Sequence, residues 1–128
     1  MVHVLREFTI TLPDSPGSLA DVASAMGSAG LNLSGFLGYA RGAGSEVHFV
    51  ASDAASVESF LKRQSWKWRS RDVVAVPAAD EPGFVGRVAS RLGDAGVNIE
   101  ATYLALQDGT PLVVFSVDDV TTAKKALA

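Results

Sequence analysis

Two short acidic turns, Asp14-Ser15-Pro16-Gly17 and Asp80-Glu81-Pro82-Gly83, hold carboxylates beside a proline and a glycine. Each stands just before an apolar-periodic stretch, where carboxylates and hydroxyls satisfy free helix amides. Asp14 and Asp80 therefore read most simply as caps of a helix or turn. The other candidates for chemistry offer less. His3 and His48 are the only histidines. Both lie in strand-like stretches without a second ligand at metal spacing, so they read as structural and no metal is expected. The absence of cysteine excludes disulfides and thiolate chemistry and suits a reducing cytoplasm, the expected location. The serines lack a nucleophile-elbow context and a His–Asp partnership. No glycine-rich dinucleotide or phosphate loop is present. With no catalytic set, the chain reads as a non-enzyme without a cofactor.

The stretch Lys62 to Arg71 mixes basic and aromatic residues, as a single-strand nucleic-acid surface does. Here Trp66, Trp68 and Ser70 alternate with Lys67, Arg69 and Arg71, so one face is buried and one solvated. A net charge of −3 also argues against a nucleic-acid partner. No apolar run approaches a membrane span, and no membrane partner is expected.

The two acidic turns belong to a longer repeat. Asp80 lies 66 positions after Asp14, and the same offset pairs Val22 with Val88, Gly27 with Gly93, Gly30 with Gly96, Asn32 with Asn98, Phe49 with Phe115 and Asp53 with Asp119. From Asp14 to Leu61, 14 of 48 positions match their mates, where unrelated stretches would give about 3–4. A 128-residue chain with 48% apolar and 20% charged residues is globular. Its modules of about 60 residues are each marginal alone and should pack together.

In the first copy, Phe8, Ile10 and Leu12 alternate with Thr9 and Thr11, a half-buried strand. Leu19, Val22, Ala23 and Met26 form one helical stripe, with Ser15 or Asp14 as expected cap, Pro16 in the first turn and Gly30 as left-handed stop. Leu31 to Tyr39 and Glu46 to Ala51 are strands around the Arg41–Gly44 loop, and Asp53 caps a second helix holding Val57, Phe60 and Leu61. The second copy repeats this, with Val85, Val88, Ala89 and Leu92 on a helix. Asp108-Gly109 marks a hairpin, and Asp118 or Asp119 caps the last helix. Gly27 and Gly93 lie inside helices at a cost of about 1 kcal/mol each, which suggests close helix packing. The expected fold is α+β: two ferredoxin-like βαββαβ modules in tandem, residues 1–70 and 71–128, with antiparallel sheets and helices on one face.

Trp66 to Ala78 is long enough to close the first module and open the second. Nothing follows Ala128 to close the second, and Met1 to Leu12 is too long for one short strand. Two readings stand: Val2 to Leu5, of the same chain or of a partner, supply the missing strand, or they fray.

The Asp-x-Pro-Gly turn, the striped helix, Ala-Gly-Leu/Val-Asn-Leu/Ile and the hairpin resemble the ACT domain, a regulatory module of amino-acid metabolism. Both copies match, so the chain resembles a stand-alone tandem ACT protein. The resemblance implies an amino acid bound where two modules meet, between the first strand–helix turn of one and the second strand of the other. The turn positions are Asp14, Ser15, Pro16, Gly17 and Leu19, with Asp80, Glu81, Pro82, Gly83 and Val85. The strand positions are Asn32 and Leu33, with Asn98 and Ile99. Helix-end amides suit a carboxylate, a glycine permits close approach and asparagine offers donor and acceptor. Asp14, Asp80, Glu81 or Glu100 would meet the ammonium. Asn32 and Asn98 serve equally well as partners for nearby backbone. Ser15, Ser18 and Ser34 stand against Glu81, Phe84 and Glu100, so the second site is more acidic and less open. The implied function is an allosteric amino-acid sensor, homodimeric. The alternative is a ligandless regulatory subunit docked on a metabolic enzyme.

Overall fold

The computed structural model describes all of residues 1–128. Strand β1 (His3–Pro13) leads to helix α1 (Ser18–Ser28), strands β2 (Leu33–Arg41) and β3 (Gly44–Ala51), and helix α2 (Ala54–Lys62). Strand β4 (Lys67–Pro77), helix α3 (Phe84–Asp94), strands β5 (Ile99–Gln107) and β6 (Thr110–Val117), and helix α4 (Val120–Leu127) follow. The chain divides into two compact units: Arg6–Arg71, the first module below, and Asp72–Ala128 with Met1–Leu5, the second.

In the first module β3 pairs antiparallel with both β1 and β2, setting Phe8 opposite Phe49 and Gly38 opposite Val47. Alternation along β1 sends Phe8, Ile10 and Leu12 to one face, where they meet Val22, Met26, Val57 and Leu61 from the helices. The Phe8 and Phe49 rings stack at 5.6 Å. Trp66 and Trp68 pack against this core, their rings tilted on Phe60 and Phe8. Burial of each large side chain here contributes about 1.5–3 kcal/mol.

In the second module β6 pairs antiparallel with β4 and β5. Its core joins Val74 and Val76 to Val88, Leu92, Val113, Phe115 and Leu127, with Val2 packed against it. The expectation of two separate sheets needs correction. β1 and β4 are each a single strand of 11 residues, and each contributes residues to both units.

Local details recur at the repeat spacing. Gly30 and Gly96 both have φ of 76°. The following amides, of Leu31 and Val97, bond back to the Met26 and Leu92 carbonyls, which is the Schellman stop. Asp53 accepts a bond from the Ser56 amide and Asp119 from the Thr122 amide. Asp108 and Gly109 both have positive φ, the type I′ geometry of a two-residue hairpin. Both β2 and β5 shift register early, between Leu33 and Gly35 and between Ile99 and Ala101, placing a bulge at Ser34 and at Glu100.

Two expectations fail for physical reasons. Asp14, Ser15 and Asp80 cap neither α1 nor α3. The residue before each helix is Gly17 or Gly83 in the left-handed region, with φ of 88° and 86°, and no side-chain cap bond forms. A capping side chain must sit at that position, and the turn after proline demands glycine there. Gly27 and Gly93 are exposed, and a Cβ on either would meet nothing within 4 Å. Close packing therefore does not explain them, and nothing else in the structure does.

Candidate functional site

The β1–α1 turn and the facing part of the β2–β3 hairpin enclose a cavity of about 300 Å³ in the first module. Asp14, Ser15, Ser18 and Leu19 form one wall, and Phe36, Tyr39, Ser45, Glu46 and Val47 form the other. Gly38 opposite Val47 keeps the space open. The Ser15 and Ser18 hydroxyls share a bond of 2.9 Å. Asp14 and Glu46 are the carboxylates of the lining, which holds no lysine, arginine or histidine. Ser18 and Leu19 open α1, whose first turn has no side-chain cap; the Ser18 amide bonds the Ser15 carbonyl over 3.2 Å.

Behind the cavity lies a polar network that the sequence reading missed. Period-two alternation places Glu7 and Thr9 of β1 and Glu46 and His48 of β3 on the sheet face away from the helices, all buried. Tyr39 donates its hydroxyl to Glu46 Oε1 over 3.1 Å. The same oxygen of Tyr39 lies 3.1 Å from His48 Nε2, and the two rings stack at 5.6 Å. His48 Nδ1 lies 2.9 Å from Thr9 Oγ1 and 3.5 Å from Glu7 Oε1. The His48 ring thus bridges Thr9 and Tyr39, and its tautomer sets which partner donates.

Glu46 is the hub. Tyr39, His48, Arg41 and Arg69 all make their nearest approach at Oε1, at 3.1–3.6 Å. Burial pushes the Glu46 carboxyl up, but the Tyr39 bond and the charges of Arg69 and Arg41 outweigh it and hold the group below its ordinary range. The signal that reveals this network is the repeat itself. The mates of Glu7, Thr9, Tyr39, Glu46 and His48 are Val73, Ala75, Ala105, Leu112 and Val114, all apolar and buried.

The expected residues fall in different places. Asp14, Ser15 and Leu19 line the cavity; Pro16 and Gly17 are exposed in the turn beside it. Asn32 lines a separate hollow of about 180 Å³ with Gly30, Leu31, Asp53 and Ser56, and Leu33 packs on the core. The turn and Asn32 lie at opposite ends of the 11-residue α1, about 16 Å apart along the helix. In the second module Asp80, Pro82 and Gly83 are exposed, and Val85 is half-exposed. Glu81 pairs with Arg87. The Asn98 amide donates to Asp118 Oδ1 over 2.9 Å, and Ile99 packs on the core. Neither module alone brings its turn and its asparagine together.

No family model and no curated protein matches the chain. Solved structures do. A protein from Bacteroides thetaiotaomicron superposes with a TM-score of 0.85 at 22% identity, over 98% of this chain and 88% of that one. The ligand-free regulatory subunit of aspartate kinase from Thermus thermophilus superposes at 0.63 with 17% identity, over 99% and 95%. That from Thermus flavus superposes at 0.59 with 18% identity, over 98% and 94%. At these identities the likeness establishes the fold. No helix is long and apolar enough to cross a membrane.

Proposed function

We propose that this chain is a regulatory protein of the tandem ACT type that senses an amino acid, works as a homodimer and has no catalytic activity of its own. The observation that carries the reading is the cavity beside the β1–α1 turn. It sets the start of α1, which no side chain caps, near the Asp14 and Glu46 carboxylates, one element for each charged end of an amino acid. The separation of Asn32 from its own turn supports a site completed by an asparagine-bearing strand of another module, which a second copy supplies. Asp80, Glu81, Pro82, Gly83, Val85, Asn98 and Ile99 form the corresponding set of the second module. Ligand would act by linkage, favouring whichever arrangement binds it more tightly.

A thermal-shift screen of the twenty amino acids at millimolar concentration tests this. At 100 times its dissociation constant a ligand stabilises by about 2.7 kcal/mol. A shift abolished by Asn32→Ala supports the shared site; no shift with any amino acid overturns the sensor reading. The second reading, a ligandless subunit docked on a metabolic enzyme, is favoured by the exposed Leu104 and Leu106 of β5, an apolar pair suited to a protein surface.

A further inference from the structure

The geometry points to Glu46 as the group that recognises a ligand's ammonium, in a pocket that the first module has and the second lacks. The inference rests on the amino-acid reading above and adds which group selects the ligand and how many ligands a chain takes. Three observations carry it.

The first is chemical. Glu46 is nine-tenths buried yet lines the cavity. Its four partners all approach Oε1 most closely, which leaves Oε2 able to take a further donor. A carboxylate oxygen open to the cavity takes an ammonium as a charge-assisted hydrogen bond. Phe36 and Tyr39, 57% and 40% exposed, add aromatic faces that attract a cation. No lysine or arginine is among the lining residues; Arg41 and Arg69 approach Glu46 at Oε1.

The second is the comparison inside the chain. Each of the five network positions is apolar in the second module, whose strands and helices form all the same. The fold therefore does not require the network. Buried charge clusters are often no more stabilising than apolar replacements, so stability does not account for its presence in the first module.

The third is space. The mates of Ser18, Gly38, Ser45 and Glu46 are Phe84, Leu104, Pro111 and Leu112. Larger apolar side chains stand where the first module is open and polar. A Cβ at Gly38 meets Val47 and the Glu46 carbonyl at 3.7 and 3.9 Å, ordinary contact, so a leucine there extends into the cavity without displacing backbone.

The test is calorimetry on the full chain with each of the twenty amino acids. Each is compared with its α-hydroxy acid, which lacks the ammonium, and its decarboxylated amine, which keeps it. The variants are Glu46→Gln, Glu46→Leu and Gly38→Leu; the last two install second-module residues, and thermal melts confirm folding. The expected result is about one ligand per chain, with the hydroxy acid bound about 10- to 100-fold more weakly. Glu46→Gln should narrow that difference to nearly nothing, which a merely structural role for Glu46 would not do. Gly38→Leu should abolish binding with the network intact. Unchanged discrimination in folded Glu46→Gln, or two equivalent sites per chain, overturns the inference and leaves the sensor reading standing. Binding of the amines alone supports the Glu46 pocket while overturning the sensor reading. No binding by any probe overturns both.

Discussion

Tyr39 gives its hydroxyl hydrogen to Glu46 Oε1 across 3.1 Å, while their mates 66 positions later, Ala105 and Leu112, have no side-chain polar atom. One backbone plan thus carries two chemistries. Replacing Glu7, Thr9, Glu46 and His48 together by Val, Ala, Leu and Val should leave the first module folded. The urea midpoint should match or exceed that of the parent, because the desolvation cost of the charges goes with the charges. Loss of cooperative unfolding in the quadruple variant would show that the network is needed for the fold.

Acid should weaken the protein through identifiable carboxylates. Asp53 is held below its ordinary range by the Ser56 hydroxyl and amide, and Asp119 by those of Thr122. Glu46 is also held low, the Tyr39 bond and the Arg69 and Arg41 charges overcoming burial. A carboxyl depressed in the folded state stabilises above its unfolded pKa and loses that contribution as pH falls through the folded value. The urea midpoint should therefore be flat in this respect near neutrality and drop below about pH 4. Asp53→Asn and Asp119→Asn should each lower the neutral midpoint and flatten the acid limb.

Exposed helical glycines offer stabilisation. Gly27→Ala and Gly93→Ala should each raise stability by about 1 kcal/mol, since the new Cβ meets nothing. Chemical denaturation of the single and double variants measures this, with additive gains expected for separated sites.

Gly44 should behave in the opposite way. A Cβ there would stand 2.9 Å from the Leu12 carbonyl oxygen, and Gly44 sits opposite Pro13 in the β1–β3 ladder. Gly44→Ala should destabilise by about 1–3 kcal/mol, read as a lower melting temperature, whereas Gly27→Ala raises it.

What the sequence revealed follows from the range of each interaction. Asp53, Gly30 and Asp108-Gly109 act through a few neighbouring residues, and the structure gives each its expected role as cap, stop or turn. Asp14 and Ser15 were misjudged because a left-handed glycine beyond them moves the cap position. The Tyr39–Glu46–His48 network was missed because it joins β1, β2 and β3 across a sheet face. On its own strand Thr9 reads as the polar side of an alternation and His48 as a structural histidine. The contrast between the copies held the clue: the differences at Tyr39, Glu46 and His48 say more than those at Ser15 and Ser34.

The central claim, that the chain responds to an amino acid through the first module, is tested most directly by one titration series. Calorimetry of the parent and of Glu46→Leu is run with whichever of the twenty amino acids gives the largest thermal shift. The account predicts saturable binding near one ligand per chain in the parent and a loss of about 10- to 100-fold in affinity in the folded variant. Absence of heat and thermal shift with all twenty would contradict it.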